Sequence, residues 1–414
     1  MAPVTMLVVG CGSRGTTYAR YALAHPDQLR IVAIAEPRED CRRNMGAEYG
    51  IPPDKLFADW RQLLDRPRLA DAAIVATQDV LHAEPAIALM DHGYHLLLEK
   101  PMAPTVADCR RIAEAAVRNR TIFGVCHVLR YMDYTRKLKA LLDAGAVGDL
   151  VSIQHLEPLG YWHYAHSYVR GNWRNEALSS SMLLSKSCHD LDWLRYLFGV
   201  PCRRVSSFGA LRHFRPECRP AGAADHCLDC AVEGTCPYSA KRIYLRQVER
   251  SQSSWIGAAT GAEVLRGLRT LPYGRCVYAC DNDVVDHQVV NMEFEGGRTA
   301  TFTMTGFTMM AHRRTGIFGT RGEIYGDGAR IHVKDFLSDR TTVIDLPPTD
   351  GSIDGGHGGG DYRIMEAFVA AVATGDPGKI LSGARESYET HLMVFAAETA
   401  RHAGTVETLP DCTF

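Results

Sequence analysis

The chain has 414 residues, 46% hydrophobic and 23% charged, with a formal net charge of −2. At roughly 100–200 residues per domain, that length predicts two to three globular domains. The near-neutral charge argues against a nucleic-acid footprint or a polybasic membrane surface, and no apolar run reaches the ~20 residues of a bilayer span. The opening segment MAPVTMLVVGCG has no basic region, and its apolar stretch runs into a glycine turn. It reads as a buried first strand rather than a signal peptide, so the expected location is cytoplasmic.

Through residue 126, apolar strands alternate with helical patterns. The strands are TMLVVG, RIVAIAE, AAIVAT, HLLLEK and TIFGVC, with amphipathic stretches such as 81–92 and 106–119 between them. Continuous apolar strands separated by helices predict a parallel sheet covered on both faces. The first strand ends in Gly10-Cys11-Gly12-Ser13-Arg14-Gly15, and a helical pattern follows. This strand–GxGxxG–helix context is the dinucleotide-binding fingerprint of a doubly wound Rossmann domain. Gly10 makes the tight turn, Gly12 lets the backbone approach a pyrophosphate at the helix start, and Gly15 permits close helix–strand packing. The second strand ends in Glu36, 21 residues after Gly15. An acid there bonds ribose hydroxyls and repels a 2′-phosphate, which favours NAD over NADP. Arg38, two residues on, weakens that preference.

From Asp149 the strands cluster without intervening helices: LVSIQHLE, RVSSFGALRHF, HQVVNMEFE, RTATFTMTGF, RTGIFGTRGEIYG, ARIHVKD and RTTVIDL. The run EFEGGRTATF reads as a hairpin with a Gly-Gly turn. We therefore expect an NAD-binding α/β domain over 1–126. An α+β domain with a large, mostly antiparallel open sheet should follow over 127–414. Helices are expected at about 181–198 and 385–402. The glycine-rich run GSIDGGHGGG at 351–360 predicts a mobile loop ahead of a helix.

At the end of the fifth strand stands Glu99-Lys100-Pro101. Together with GxGxxG, Ala76-Thr77, His82, the glycine junction at 145–148, and a helix carrying His189 and Asp192, this motif resembles the Gfo/Idh/MocA family of sugar and cyclitol oxidoreductases. The resemblance covers essentially the whole chain. It implies that Ser13, Arg14, Ala76, Thr77, His82 and Glu99 join the three glycines and Glu36 around the cofactor, with the nicotinamide near Lys100. A partly desolvated lysine beside a positively charged nicotinamide should have a lowered pKa and can exchange the substrate hydroxyl proton. The plainer alternative is a lysine paired with Glu99. In the segment SSSMLLSKSCHDLDWLRYLFG, Ser185, Lys186 and His189 fall on neighbouring positions of a helix. Many family members have an aspartate where this chain has Ser185, and Lys186 adds positive charge beside it. Lys186 and His189 are thus catalytic candidates with Lys100, against a surface lysine and a core histidine. For substrate we expect His127, Arg130 and Tyr131 after the last Rossmann strand, and Trp162, His163, Arg170, Asn172 and Trp173. Aromatic faces and bidentate donors of this kind suit a sugar. His357 is a weaker candidate from the glycine-rich loop.

Thirteen cysteines are present, seven of them from Cys202 to Cys280. In a chain expected to be reduced, that cluster calls for a metal reading before a disulfide reading. A cysteine-rich insert near 214–240 holds Cys227 and Cys230 as a CxxC, followed by Cys236. One structural zinc would need a fourth thiolate, Cys276 or Cys218, with Cys276 preferred because zinc gains most by joining separate segments. Packed reduced thiols are the alternative.

The expected activity is hydride transfer between NAD and a secondary hydroxyl of a sugar, sugar derivative or cyclitol. One alternative is an NAD-dependent glycoside hydrolase that oxidises a ring carbon transiently, eliminates, adds water and reduces again, possible on an anionic sugar. A non-catalytic NAD-binding protein is a third reading. The expected partner is a small carbohydrate, with no nucleic acid and no membrane. An open sheet face suggests a homodimer or homotetramer.

Overall fold

Residues 2–251, 254–309, 312–346 and 356–412 are described by the computed structural model. The first sheet comprises β1 (Val4–Val9), β2 (Leu29–Ala35), β3 (Leu56–Phe57), β4 (Ala72–Val75), β5 (His95–Leu98) and β6 (Phe123–Val125), in the order β3-β2-β1-β4-β5-β6. All five pairings are parallel. Strands β1, β4 and β5 are buried on both faces, as their unbroken apolar runs require. Strand order reverses between β1 and β4, so the C-terminal ends of β1, β4 and β5 open onto one crevice.

The second sheet is built from β7 (Leu150–Gly160), β8 (Cys202–Ala210), β9 (His287–Phe294), β10 (Arg298–Thr308), β11 (Arg314–Gly319), β12 (Gly322–Gly326), β13 (Arg330–Asp335), β14 (Thr341–Asp345) and β15 (Val406–Thr408). Its order is β14-β13-β12-β11-β7-β10-β9-β8-β15, and only β7 with β10 is parallel. The β9–β10 hairpin turns through Gly296 and Gly297, both at positive φ (79° and 74°), as a Gly-Gly turn demands. Ile153, Phe302, Ile317 and Ile324 line the inner face and are buried, whereas Gln154 and Thr301 point outward and are exposed. The helices Cys188–Phe198 and Ala384–Ala403 cover the inner face.

Three features differ from the sequence reading. The helix expected at 181–198 is two pieces, Met182–Ser185 and Cys188–Phe198, with Lys186 and Ser187 in the break. Two helices, Ala240–Ser251 and Gly261–Thr270, follow the cysteine-rich segment where none was anticipated. The helix Gly360–Thr374 packs Ile364, Met365 and Phe368 into the same cluster as Met6, Val8, Ile74 and Leu97. One face of the first sheet is thus closed by a late part of the chain. Half of the predicted glycine-rich loop, 351–355, lies outside the described residues.

Candidate active site

The glycine turn behaves as its spacing predicts. Gly10 sits at φ 96°, and a Cβ there would lie 2.6 Å from the Ala76 carbonyl oxygen. A Cβ on Gly15 would lie 2.0 Å from the Gly10 carbonyl oxygen, so helix Ser13–Ala19 can approach β1 only without a side chain. At Gly12 a Cβ would meet nothing within 4 Å. That open space beside the backbone is where a pyrophosphate fits.

Glu36 follows β2 and is buried. Its carboxylate accepts from the Cys11 N–H at 2.7 Å, the Arg38 N–H at 3.0 Å and the Arg38 Nε at 2.7 Å. Burial acts to raise the carboxyl pKa, but these donors hold it below the usual carboxylate range. Glu36 is therefore an ionised group at the end of β2, and the exposed Arg38 is paired with it.

Arg14 joins three segments. Its Nε donates to Glu99 at 2.8 Å, its other nitrogens reach Asp361, and its guanidinium lies 4.6 Å from the centre of the Tyr18 ring. It thereby ties the glycine turn to the end of β5 and to helix Gly360–Thr374. His82 is wholly buried, with Nδ1 2.8 Å from the Pro101 carbonyl oxygen and Nε2 3.2 Å from that of Thr77. It braces the two strand-end loops against each other.

Lys100 leaves the end of β5 and donates Nζ to the Ser185 carbonyl oxygen at 2.7 Å. The break at Lys186–Ser187 makes that carbonyl available. Around it gather histidines from four parts of the chain. His189 stacks edge-on to His127 with ring centroids 5.9 Å apart, and His357 is also 5.9 Å from His189. His391 is 5.7 Å from His127. Burial, then Lys100, His357 and His127, holds His189 well below its ordinary pKa. Burial outweighs the Asp192 carboxylate and pushes His127 down to about 3. His163 is pushed down to about 2 by burial, then by Lys186, His166 and Lys100. His189, His127 and His163 are therefore neutral at pH 7. Both ring nitrogens of His127 and Nδ1 of His163 and His189 are buried without a hydrogen-bond partner. A lysine amine beside neutral imidazoles with free nitrogens is an arrangement that can hold and pass a proton.

A second polar layer went unseen in the sequence. Lys186 Nζ lies 3.3 Å from Glu157, and Arg313 Nε lies 2.9 Å from the other oxygen of Glu157 while also pairing with Asp190. His155 Nε2 is 3.1 Å from Asp190, and its Nδ1 is 2.7 Å from Thr315 Oγ1. One signal was available: Ile153, His155 and Glu157 share the inward phase of β7, and a His and a Glu at buried strand positions invite partners. Arg313 and Asp361 carried no local signal.

Several substrate candidates have other occupations. Arg130 forms a buried bidentate pair with Asp192, and Tyr131 Oη bonds the Leu381 N–H and Ser382. Both hold residues 381–382 against the start of the second domain. Arg170 is turned among cysteines, donating to the Arg275 and Tyr238 carbonyl oxygens at 2.7 and 2.8 Å. Trp162 packs tilted against Trp255 with ring centroids 4.3 Å apart, while Asn172 and Trp173 are exposed, Trp173 beside Tyr168. Of the substrate set, His127 and His163 are the two at the Lys100 cluster.

The model of the oxidoreductase family with an NAD-binding Rossmann fold matches residues 4–127, and the Gfo/Idh/MocA C-terminal domain model matches 135–325. The chain belongs to the Gfo/Idh/MocA oxidoreductase family. It is 25% identical to YteT of Bacillus subtilis (strain 168) over 72% of this chain and 71% of that protein. It is 29% identical to inositol 2-dehydrogenase 2 of Saccharopolyspora erythraea over 46% of this chain and 53% of that one. It is 26% identical to 2,7-anhydro-N-acetylneuraminate hydratase of Escherichia coli (strain K12) over 50% of this chain and 54% of that one. The chain thus spans about half the length of the last two relatives. Levoglucosan dehydrogenase in complex with NADH and levoglucosan superposes with a TM-score of 0.72 at 19% identity, over 99% of this chain and all of that one, which establishes likeness of fold. The Gly12 opening and the ionised Glu36 fit the dinucleotide of this NAD-binding domain. No helix among the described residues is long and apolar enough to cross a membrane.

Proposed function

We propose that this Gfo/Idh/MocA protein is an NAD-dependent oxidoreductase acting on a secondary hydroxyl of a sugar, sugar derivative or cyclitol, with Lys100 as the acid/base. The observation that carries the reading is the convergence on Lys100 of the glycine turn, through Glu99 and Arg14, and of the buried histidines His189, His127 and His163. NAD, when bound, supplies the nicotinamide that exchanges a hydride with the carbinol carbon. Lys100 takes or returns the hydroxyl proton, oriented by the Ser185 carbonyl. His189 flanks the reacting oxygen as a neutral imidazole. Lys186 is held by Glu157 and contributes charge at the wall of the site. Gly10, Gly12, Ser13, Arg14, Gly15, Glu36, Ala76 and Thr77 form the cofactor side. A homodimer or homotetramer in the cytoplasm belongs to the same proposal.

The test is turnover with a panel of inositols and sugars. Stoichiometric NADH accumulation is expected, and Lys100→Ala should abolish most of it. A redox-neutral reaction on an anhydro or glycosidic sugar is the second reading, favoured by the hydratase relative and by the several neutral imidazoles available beside Lys100. Deuterium uptake from D₂O with product release and no net NADH would select it.

A further inference from the structure

The cysteine-rich insert encloses a cavity of about 20 Å³. Cys227, Cys230, Cys236 and Cys276 all line it, together with Arg170, Glu233 and Ser239. Room for a single water-sized occupant needs roughly 10–15 Å³ by the same measure, so the space suits one ion and not an iron–sulfur cube. Cys218, the other candidate for a fourth ligand, is absent from the lining; its thiol lies 3.6 Å from the Arg212 carbonyl oxygen instead.

Two chain segments meet at the cavity. His226 forms an isolated bridge with Arg275, and the Cys276 N–H donates to the Asp225 carbonyl oxygen at 2.8 Å. The CxxC pair is thereby set beside Cys276, roughly 50 residues later in the chain. A third segment contributes Arg170, the last residue of the wide turn Ala165–Arg170 that follows His163.

Arg170 supplies the independent observation. Its residue is 1% exposed. Nε and Nη2 are satisfied by the Arg275 and Tyr238 carbonyl oxygens, and Nη2 also lies 3.6 Å from the Cys227 sulfur. Nη1 is buried with no partner at all. An unpaired, charged N–H buried beside these sulfurs is costly, because nothing there replaces its water. Its only nearby carboxylate on the cavity wall, Glu233, is engaged with Ser239. Four thiolates around a divalent cation would carry a net charge of −2 and offer sulfur acceptors, which is what the guanidinium lacks.

We propose that Cys227, Cys230, Cys236 and Cys276 bind one structural zinc ion, with Arg170 donating to the thiolate shell. Zinc–sulfur bonds of about 2.3 Å put the sulfurs of a tetrahedron about 3.8 Å apart. No three of these sulfurs lie within 4.8 Å of one another. Each sulfur sits on one rotatable bond, so zinc binding requires χ1 turns toward the cavity centre. Binding releases the four thiol protons to solvent. The ion then ties the insert to the segment carrying Cys276 and, through Arg170, to the turn that follows His163, a structural duty separate from hydride transfer.

The full chain, purified without a metal-affinity tag, should contain close to one zinc per chain by elemental analysis. An organomercurial should release it from the native protein, read with a colorimetric chelator. Cobalt exchanged into the same protein should show the sulfur-to-metal charge-transfer bands of a tetrahedral thiolate site. Arg170→Gln, checked for folding by circular dichroism, should hold zinc about 10–100-fold more weakly, with Arg170→Lys recovering part of the loss. Cys227→Ser and Cys276→Ser should each lose the metal, whereas Cys218→Ser should retain it. If the cysteine variants fail to fold, the mercurial and cobalt results on the unmodified chain decide. Metal-free protein in which every thiol titrates natively would overturn the proposal. So would disulfides among the four, iron in place of zinc, or cobalt without thiolate bands.

Discussion

Replacing Asp192 by asparagine tests a deeply buried ion pair beside the site. The carboxylate receives Arg130 Nε and Nη2, both at 2.7 Å, and the Thr390 hydroxyl at 3.0 Å. The two side chains are 2% and 0% exposed. His127 Nε2 is 3.7 Å away but neutral, so it supplies no charge to take the aspartate's place. At an effective dielectric of ~20 and a charge separation of ~4 Å, the lost attraction is about 4 kcal/mol. Breaking one side of a buried pair costs about 3–5 kcal/mol by mutational experience, because the surviving charge stays desolvated. Asp192→Asn keeps the shape and removes the charge, so we expect a loss of about 3–5 kcal/mol, read from the urea midpoint at unchanged slope. The double variant Arg130→Met with Asp192→Leu should recover most of that loss, since it leaves no orphaned charge. A single-variant cost below ~1 kcal/mol, or a double variant as unstable as the sum of the singles, would refute the account.

Four further outcomes are expected. Lys100→Ala should lower the rate by ~10²–10⁴ while NAD binding, followed by calorimetry, stays nearly intact; near-normal turnover would move the acid/base role to Lys186. Glu36→Ala should weaken NAD binding by ~1.5–3 kcal/mol, roughly 10–150-fold, and NADP binding as tight as NAD in the unmodified chain would hand control to Arg38. Gly12→Ala should leave stability unchanged, its Cβ entering open space, and weaken NAD; Gly15→Ala should impair folding because its Cβ meets the Gly10 carbonyl oxygen at 2.0 Å. His127, His163 and His391 are depressed to about 3, 2 and 4 by burial. The unfolded chain therefore binds more protons than the native one below pH ~6.5, and stability should fall as pH drops through that window, by up to ~1.4 kcal/mol per pH unit for each histidine. His127→Gln should flatten the slope, and denaturant stability that is level from pH 7 to pH 5 would contradict these burial assignments.

The sequence by itself determined the two sheets and the cofactor turn, because both rest on local physics. Unbroken apolar strands need two covered faces, alternating strands need one, and the positions of Gly10 and Gly15 admit no Cβ wherever this turn forms. The ionised Glu36 was equally legible, since its place at the end of β2 follows from strand register. Lys100 and His189 were legible through motif resemblance, but their meeting was not. Lys100 reaches Ser185 across 85 residues, and the break that presents that carbonyl interrupts a helix-compatible pattern. Tertiary structure alone separated the arginines: Arg130 finds Asp192 and the Leu381 carbonyl, 62 and 251 residues away, and Arg170 finds the cysteine cavity. It also put Cys276, already preferred on segment-joining grounds, and not Cys218 on the cavity wall, and brought helix Gly360–Thr374 back onto the first sheet. A charged or thiol side chain carries little periodic information of its own; what it does depends on which distant group reaches it first when water is expelled, and that is decided only as the sheets and helices close.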